Sequence, residues 1–128
     1  MAAARLAAGL ALVTLSAAPA TAGPLPFPDG TYVTDPGLCR MTDRQRSDRY
    51  NDELVLMVRH IEGNRLTDGY EMVCTVLSAQ VNGNSVRYRT RCNMEGRWET
   101  ATGTMTRLSE TSFRIGTRTF RSCGRLAR

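Results

Sequence analysis

One stretch constrains the fold of this chain more than any other: Tyr70 to Arg97, YEMVCTVLSAQVNGNSVRYRTRCNMEGR. It holds two turn signals, Asn82-Gly83-Asn84 and Glu95-Gly96, and Asn and Gly adopt the positive φ angles of tight hairpins at little cost. A loop of residues 82–84 pairs residues whose numbers sum to 166, setting Cys74 opposite Cys92 and Tyr88 opposite Ser78. A two-residue loop at Glu95-Gly96 gives pairs that sum to 191. Tyr88 then faces Gly103, Thr90 faces Ala101, and Arg87, Arg89 and Arg91 meet Thr104, Thr102 and Thr100. Both registers place Met72, Cys74, Val76, Val86, Tyr88, Thr90 and Cys92 on one face and the arginines on the other. A slip of one residue would exchange the two faces. Two independent turns that agree therefore predict long antiparallel strands with an apolar side and a basic side, Trp98 lying with the threonines.

The cysteines place the chain in an oxidising compartment. Residues 1–22, MAAARLAAGLALVTLSAAPATA, carry Arg5, an apolar run from Leu6 to Leu15 and the small-x-small pattern Ala20-Thr21-Ala22. That is the layout of a cleaved export signal, and the apolar run is shorter than the roughly 20 residues that span a bilayer. The expected mature chain, residues 23–128, is periplasmic or secreted, not membrane-spanning, and of a size for one β domain. Cys39, Cys74, Cys92 and Cys123 all follow the signal, so an even count reads as two disulfides. The hairpin register favours Cys74 with Cys92, which leaves Cys39 for Cys123. In the loop-entropy picture these stabilise by about 3 and about 4.5 kcal/mol. No C-x-x-C pair occurs and His60 is the only histidine, so neither a metal nor another cofactor is expected.

Outside the central hairpins the chain reads in short pieces. GPLPFPDG, with three prolines, suits an extended leader. Thr31–Thr34 is a short strand ended by Asp35-Pro36-Gly37. RMTDRQRSDRYND, residues 40–52, has a capping box in Thr42 and Gln45, and a short surface helix over 42–51 and a mobile loop are equally compatible with it. ELVLMVRHI, residues 53–61, is aliphatic on both parities and reads as a strand covered on both faces, a periodicity that a buried helix shares. A further strand is expected over 66–81, with a bulge or break at Asp68-Gly69, and SFRIGTRTFRSC supplies a last strand or pair around Gly116. The sum is an all-β antiparallel meander of six or seven strands that curls into a small barrel to avoid an open edge, its ends fastened by Cys39 and Cys123.

Charge is the strongest functional feature. All 17 basic residues are arginine. Residues 23–71 hold six Arg against nine acids, a balance of −3, and residues 86–128 hold ten Arg against three Glu, a balance of +7. Arg87, Arg89 and Arg91 would stand about 7 Å apart along a strand, a cationic stripe able to grip carboxylates or phosphates bidentately. Trp98, Thr100 and Thr102 lie beside it, and Arg114, Arg118 and Arg121 could extend it. A sheet face made polar for solubility alone has the same composition. The acids interleaved in 40–52 and the export signal argue against a nucleic-acid partner.

Catalytic chemistry finds no foothold. His60 sits in an aliphatic run without a G-x-S-x-G, H-E-x-x-H or thiol partner, and the pairs Asp68/Glu71 and Glu95/Glu99 read as solvated carboxylates. The expectation is a non-enzymatic binding module, monomeric or a subunit, whose basic face docks an acidic protein or an anionic envelope component. Two alternatives stand beside it. An accessory subunit of an envelope complex would bury an apolar patch around Trp98, Tyr70 or the N-terminal Phe-Pro segment, and a lipocalin-like carrier would need an interior cavity. The layout, a signal peptide ahead of a small two-disulfide barrel, resembles that of several bacterial periplasmic proteins, lysozyme inhibitors among them. That resemblance implies inhibition of another protein and carries over no residue.

Overall fold

The computed structural model describes residues 23–124 together with Gly9; the proposed signal segment, Gly9 apart, and the last four residues lie outside the described part. The described chain forms eight antiparallel strands closed into a barrel in simple sequence order. They are β1 (Gly30–Val33), β2 (Val58–Glu62), β3 (Arg65–Thr67), β4 (Val73–Asn82), β5 (Ser85–Met94), β6 (Arg97–Ser109), β7 (Ser112–Ile115) and β8 (Arg118–Ser122). β1 pairs with β8 through Tyr32 with Ser122 and Val33 with Arg121, which removes both open edges. Cys74 is bonded to Cys92 and Cys39 to Cys123.

The eight strands exceed the six or seven expected because the run 66–81 is two strands and not one. Asp68 Oδ1 accepts from the backbone N–H of Tyr70 (2.8 Å) and Met72 (3.1 Å), and Gly69 takes a φ of +76°. That self-capped turn reverses the chain, and β3 pairs with β4 through Leu66 and Cys74. Likewise Gly116-Thr117 is a tight turn between β7 and β8, which makes the last segment a pair.

The segment 53–61 differs more. Leu54–Met57 is a helical turn, α2, and the strand begins only at Val58. Aliphatic residues on both parities suit a short helix as well as a buried strand. Here Leu54 and Val58 bury against Val33 and Leu38 on the outer side of β1 and β2, an arrangement reached by one helical turn. Before it, α1 (Asp43–Tyr50) is a helix, and its capping box is complete: Gln45 N–H donates to Thr42 Oγ1 and Thr42 N–H to Gln45 Oε1. Its Arg46 is 5 % exposed, donating from Nε to the Leu38 carbonyl (2.8 Å) and from Nη1 to Asp43 (2.7 Å). Helices and the 3-10 turn Pro36–Arg40 thus form a cover over β1 and β2, and the Cys39–Cys123 bond fastens it to the end of β8.

The leader is a plug. Leu25 and Phe27 are 1 % exposed and fill the barrel interior with Tyr32, Phe113 and Phe120. Phe113 lies 4.9 Å from Phe27, 5.2 Å from Tyr32 and 5.4 Å from Phe120 between ring centroids. Tyr32 donates its hydroxyl to the Pro28 carbonyl at 2.6 Å, and burial pushes its pKa up to about 12. The Phe-Pro segment expected as an extended leader, and as a patch for a partner, is therefore spent inside the molecule.

Register follows the expected pattern with one correction. β5 and β6 pair as expected from Ser85 with Thr106 to Met94 with Arg97. At the other hairpin the turn is Gly83-Asn84 alone, so Asn82 pairs with Ser85 and Tyr88 faces Ala79, not Ser78. A bulge between Val76 and Ser78 absorbs one residue and restores the expected pairing at Cys74 and Cys92. β5 keeps its expected inside and outside, as do Cys74 and Val76, whereas beyond the bulge β4 is reversed: Ala79 takes the inward place expected of Ser78, and Ser78 and Gln80 turn outward.

Candidate functional site

The outer face of β4–β6 is a grid built by that register. Thr75, Arg91 and Thr100 form one row, Ser78, Arg89 and Thr102 the next, and Gln80, Arg87 and Thr104 the third. Every guanidinium stem thus stands between two hydroxyl or amide side chains, and the nine residues include neither a carboxylate nor a large apolar group. Arg87, Arg89 and Arg91 are exposed, and among the described residues none of them makes an ion pair. Their alternate positions repeat cationic charge about every 7 Å along β5.

One end of the ladder is aromatic. Trp98 pairs across from Asn93 and is 52 % exposed. The Arg91 guanidinium lies over its ring, 5.1 Å from the centroid, a cation–π contact that steadies both side chains. A shallow groove of about 170 Å³ runs between the rows, lined by Ser78, Gln80, Arg87, Tyr88, Arg89 and Thr102. Its floor is fixed by a close approach. A Cβ at Gly103 would lie 2.8 Å from Tyr88 Cε2 and nearer still to Cζ, so only glycine admits the ring beneath the groove. Burial raises the Tyr88 pKa, and Arg59 draws it back.

The remaining arginines fall into two groups. Arg114, on β7 opposite Thr106, shares the outward parity and stands one row beyond Arg87 and Thr104. Arg118 pairs with Ile115, which packs on the interior, and Arg121 pairs with Val33 under the helical cover, so neither extends the stripe. Thr75, Ser78 and Gln80 were not singled out from sequence. The parity of Ser78 and Gln80 depends on the bulge, which no turn signal announces, whereas Thr75 lies before it and keeps the expected register.

A second cleft, about 610 Å³, lies on the opposite part of the sheet between β1–β3 and α1, and its lining includes Asp29, Thr31, Asp43, His60, Glu62 and Arg65. His60 sits in its wall with Nδ1 2.9 Å from Thr31 Oγ1. Its Nε2 is 3.5 Å from Asp43 Oδ1, outside hydrogen-bonding geometry, and has no exposed surface. Gly69 covers it so closely that a Cβ there would come within 2.7 Å. Burial lowers the His60 pKa, against the opposing pull of Asp43. One ring nitrogen is engaged and the other covered, so a substrate reaching this cleft would meet neither as a free base. Arg59, unremarked from sequence, turns into the barrel over Phe120 (5.1 Å) and donates to the Val58 carbonyl (2.9 Å) and to that of Val55; burial lowers its pKa.

Among the described residues no group of three His, Cys, Asp or Glu is placed to hold a metal ion, and no helix is long and apolar enough to cross a membrane. Set against family models, curated proteins and solved structures, the chain gives no match in any of the three.

Proposed function

We propose that this protein is an exported, non-enzymatic binding module that docks an anionic partner on the outer face of β4–β6. The observation that carries the reading is the row pattern itself. Three exposed arginines without ion pairs stand in line, flanked on both sides by Thr, Ser and Gln and edged by Trp98. Cations clustered without counter-charges raise the local potential and attract anions over distances of about 10 Å, and guanidinium forks engage carboxylate or phosphate bidentately. The two disulfides are compatible with export. Against a carrier of small apolar ligands stands the filling of the interior by Leu25, Phe27 and four further large side chains. Against an accessory subunit docked through its Phe-Pro segment stands the burial of that segment.

The test is affinity capture from an envelope extract at low and at high salt, with the oxidised protein and with the Arg87→Ala, Arg89→Ala, Arg91→Ala triple variant. A partner lost in both the variant and high salt supports the reading. A partner retained in both would place docking elsewhere and leave the arginines as solubility chemistry.

A further inference from the structure

The face also selects among anions. A stable protein interface has an apolar centre ringed by polar residues. Here the order is largely reversed: the rows are Arg, Thr, Ser and Gln, broken by one exposed apolar side chain, Leu77 at the bulge, and Val73 and Trp98 sit together in the row beyond their end on either side of Asn93. Resting on the anionic-face reading above, we propose that the ligand is a linear polysaccharide carrying carboxylates, a uronic-acid chain lying along β5.

Each element of the grid has a counterpart in that polymer. Carboxylates recurring along the chain meet Arg87, Arg89 and Arg91, which recur about every 7 Å. Sugar hydroxyls, each a donor and an acceptor, meet the hydroxyls of Thr75, Thr100, Ser78, Thr102 and Thr104, which are donors and acceptors too. The C–H-rich face of one sugar ring stacks on the face of Trp98 opposite the Arg91 guanidinium, the side chain being 52 % exposed. The groove is about 170 Å³ in volume, below the roughly 300 Å³ of an enclosing small-molecule site. An extended chain fits such a surface because it needs only to pass across it.

The experiment is calorimetric titration of the oxidised protein with oligogalacturonate, with a neutral gluco-oligosaccharide of equal length, and with poly-glutamate of equal charge. Binding should be found for oligogalacturonate and weaken as salt rises. It should fall at least tenfold in the triple Arg→Ala variant and also in the Arg87→Lys, Arg89→Lys, Arg91→Lys variant, which keeps the charge and loses the fork. Trp98→Ala should cost several-fold. Poly-glutamate should bind at least tenfold more weakly, and the neutral sugar not at all. Equal binding of poly-glutamate and oligogalacturonate, with Trp98→Ala silent, would overturn the polysaccharide and leave the anionic face standing. No binding of either polyanion, or binding that the triple alanine variant retains while its melting curve is unchanged, would overturn both.

Discussion

The two sides of this barrel obey the same alternation and meet opposite fates. On β1 and β2 the outward positions Val33 and Val58 are apolar, and the chain covers them with α2, Leu38 and a disulfide. On β4–β6 the outward positions are mostly Arg, Thr, Ser and Gln, with Val73, Leu77 and Trp98 exposed among them, and no other part of the described chain covers them. A pleated strand always presents two faces. What lies outside a closed barrel is therefore decided by whether its outer parity can stand in water, and a bare polar face this regular is left available to a ligand.

That contrast can be broken first at the cover. Replacing Cys39 and Cys123 by serine opens a link between residues 84 apart and should cost about 4.5 kcal/mol in the loop-entropy picture, read by urea denaturation. Hydrogen exchange should then rise over 36–57 while β4–β6 keeps its protection. Leu54→Ala should cost about 2–5 kcal/mol through the cavity it leaves, whereas Leu77→Ala, on an exposed bulge, should stay within about 0.5 kcal/mol. Equal costs would mean that the two sides are packed alike.

Smaller effects sharpen the comparison. Gly103→Ala forces the Tyr88 ring aside and should cost about 1–3 kcal/mol as an overpacked site. In a Tyr88→Ala background most of that cost should vanish, a coupling that a double-mutant cycle measures. The covered side should also be the pH-sensitive one. Folding holds His60 below its ordinary value near 6.5, so the unfolded chain takes up the proton more readily. Stability present above about pH 6.5 is lost as pH falls below it; His60→Gln should flatten the melting temperature between pH 7 and 5. The triple Arg→Ala variant should likewise melt within about 1 kcal/mol of the parent, since exposed positions away from packed features are near neutral.

The central hairpins were legible in the sequence for a local reason. Glu95-Gly96 takes φ values of +54° and +81°, and a turn of that kind fixes the register of everything threaded through it. The parity of Arg87, Arg89 and Arg91 and the glycine under Tyr88 follow from it, whereas Cys74 opposite Cys92 came from the other hairpin, where the bulge offsets a turn one residue shorter than expected. Thr42 and Gln45 offered the cap of α1 equally locally, although a loop over the same residues is as compatible with the sequence. In the third column of the grid Thr75 keeps the expected register, but Ser78 and Gln80 were hidden because they rest on a bulge, whose presence is set by the neighbouring strands rather than by the residues in it.

By itself, then, the sequence determined the period-2 strands, the tight turns, the Cys74–Cys92 pair and the charge of the outer face, each a property of residues within reach of one another along the chain or across one hairpin, and left Cys39 for Cys123 by elimination. Only the tertiary structure decided that Leu25 and Phe27 plug the barrel, that Leu54–Met57 coils instead of extending, and that Arg46 is buried. Those outcomes depend on the volume inside a closed barrel and on the apolar patch at Val33 and Val58, surfaces that come into being only when distant strands have met.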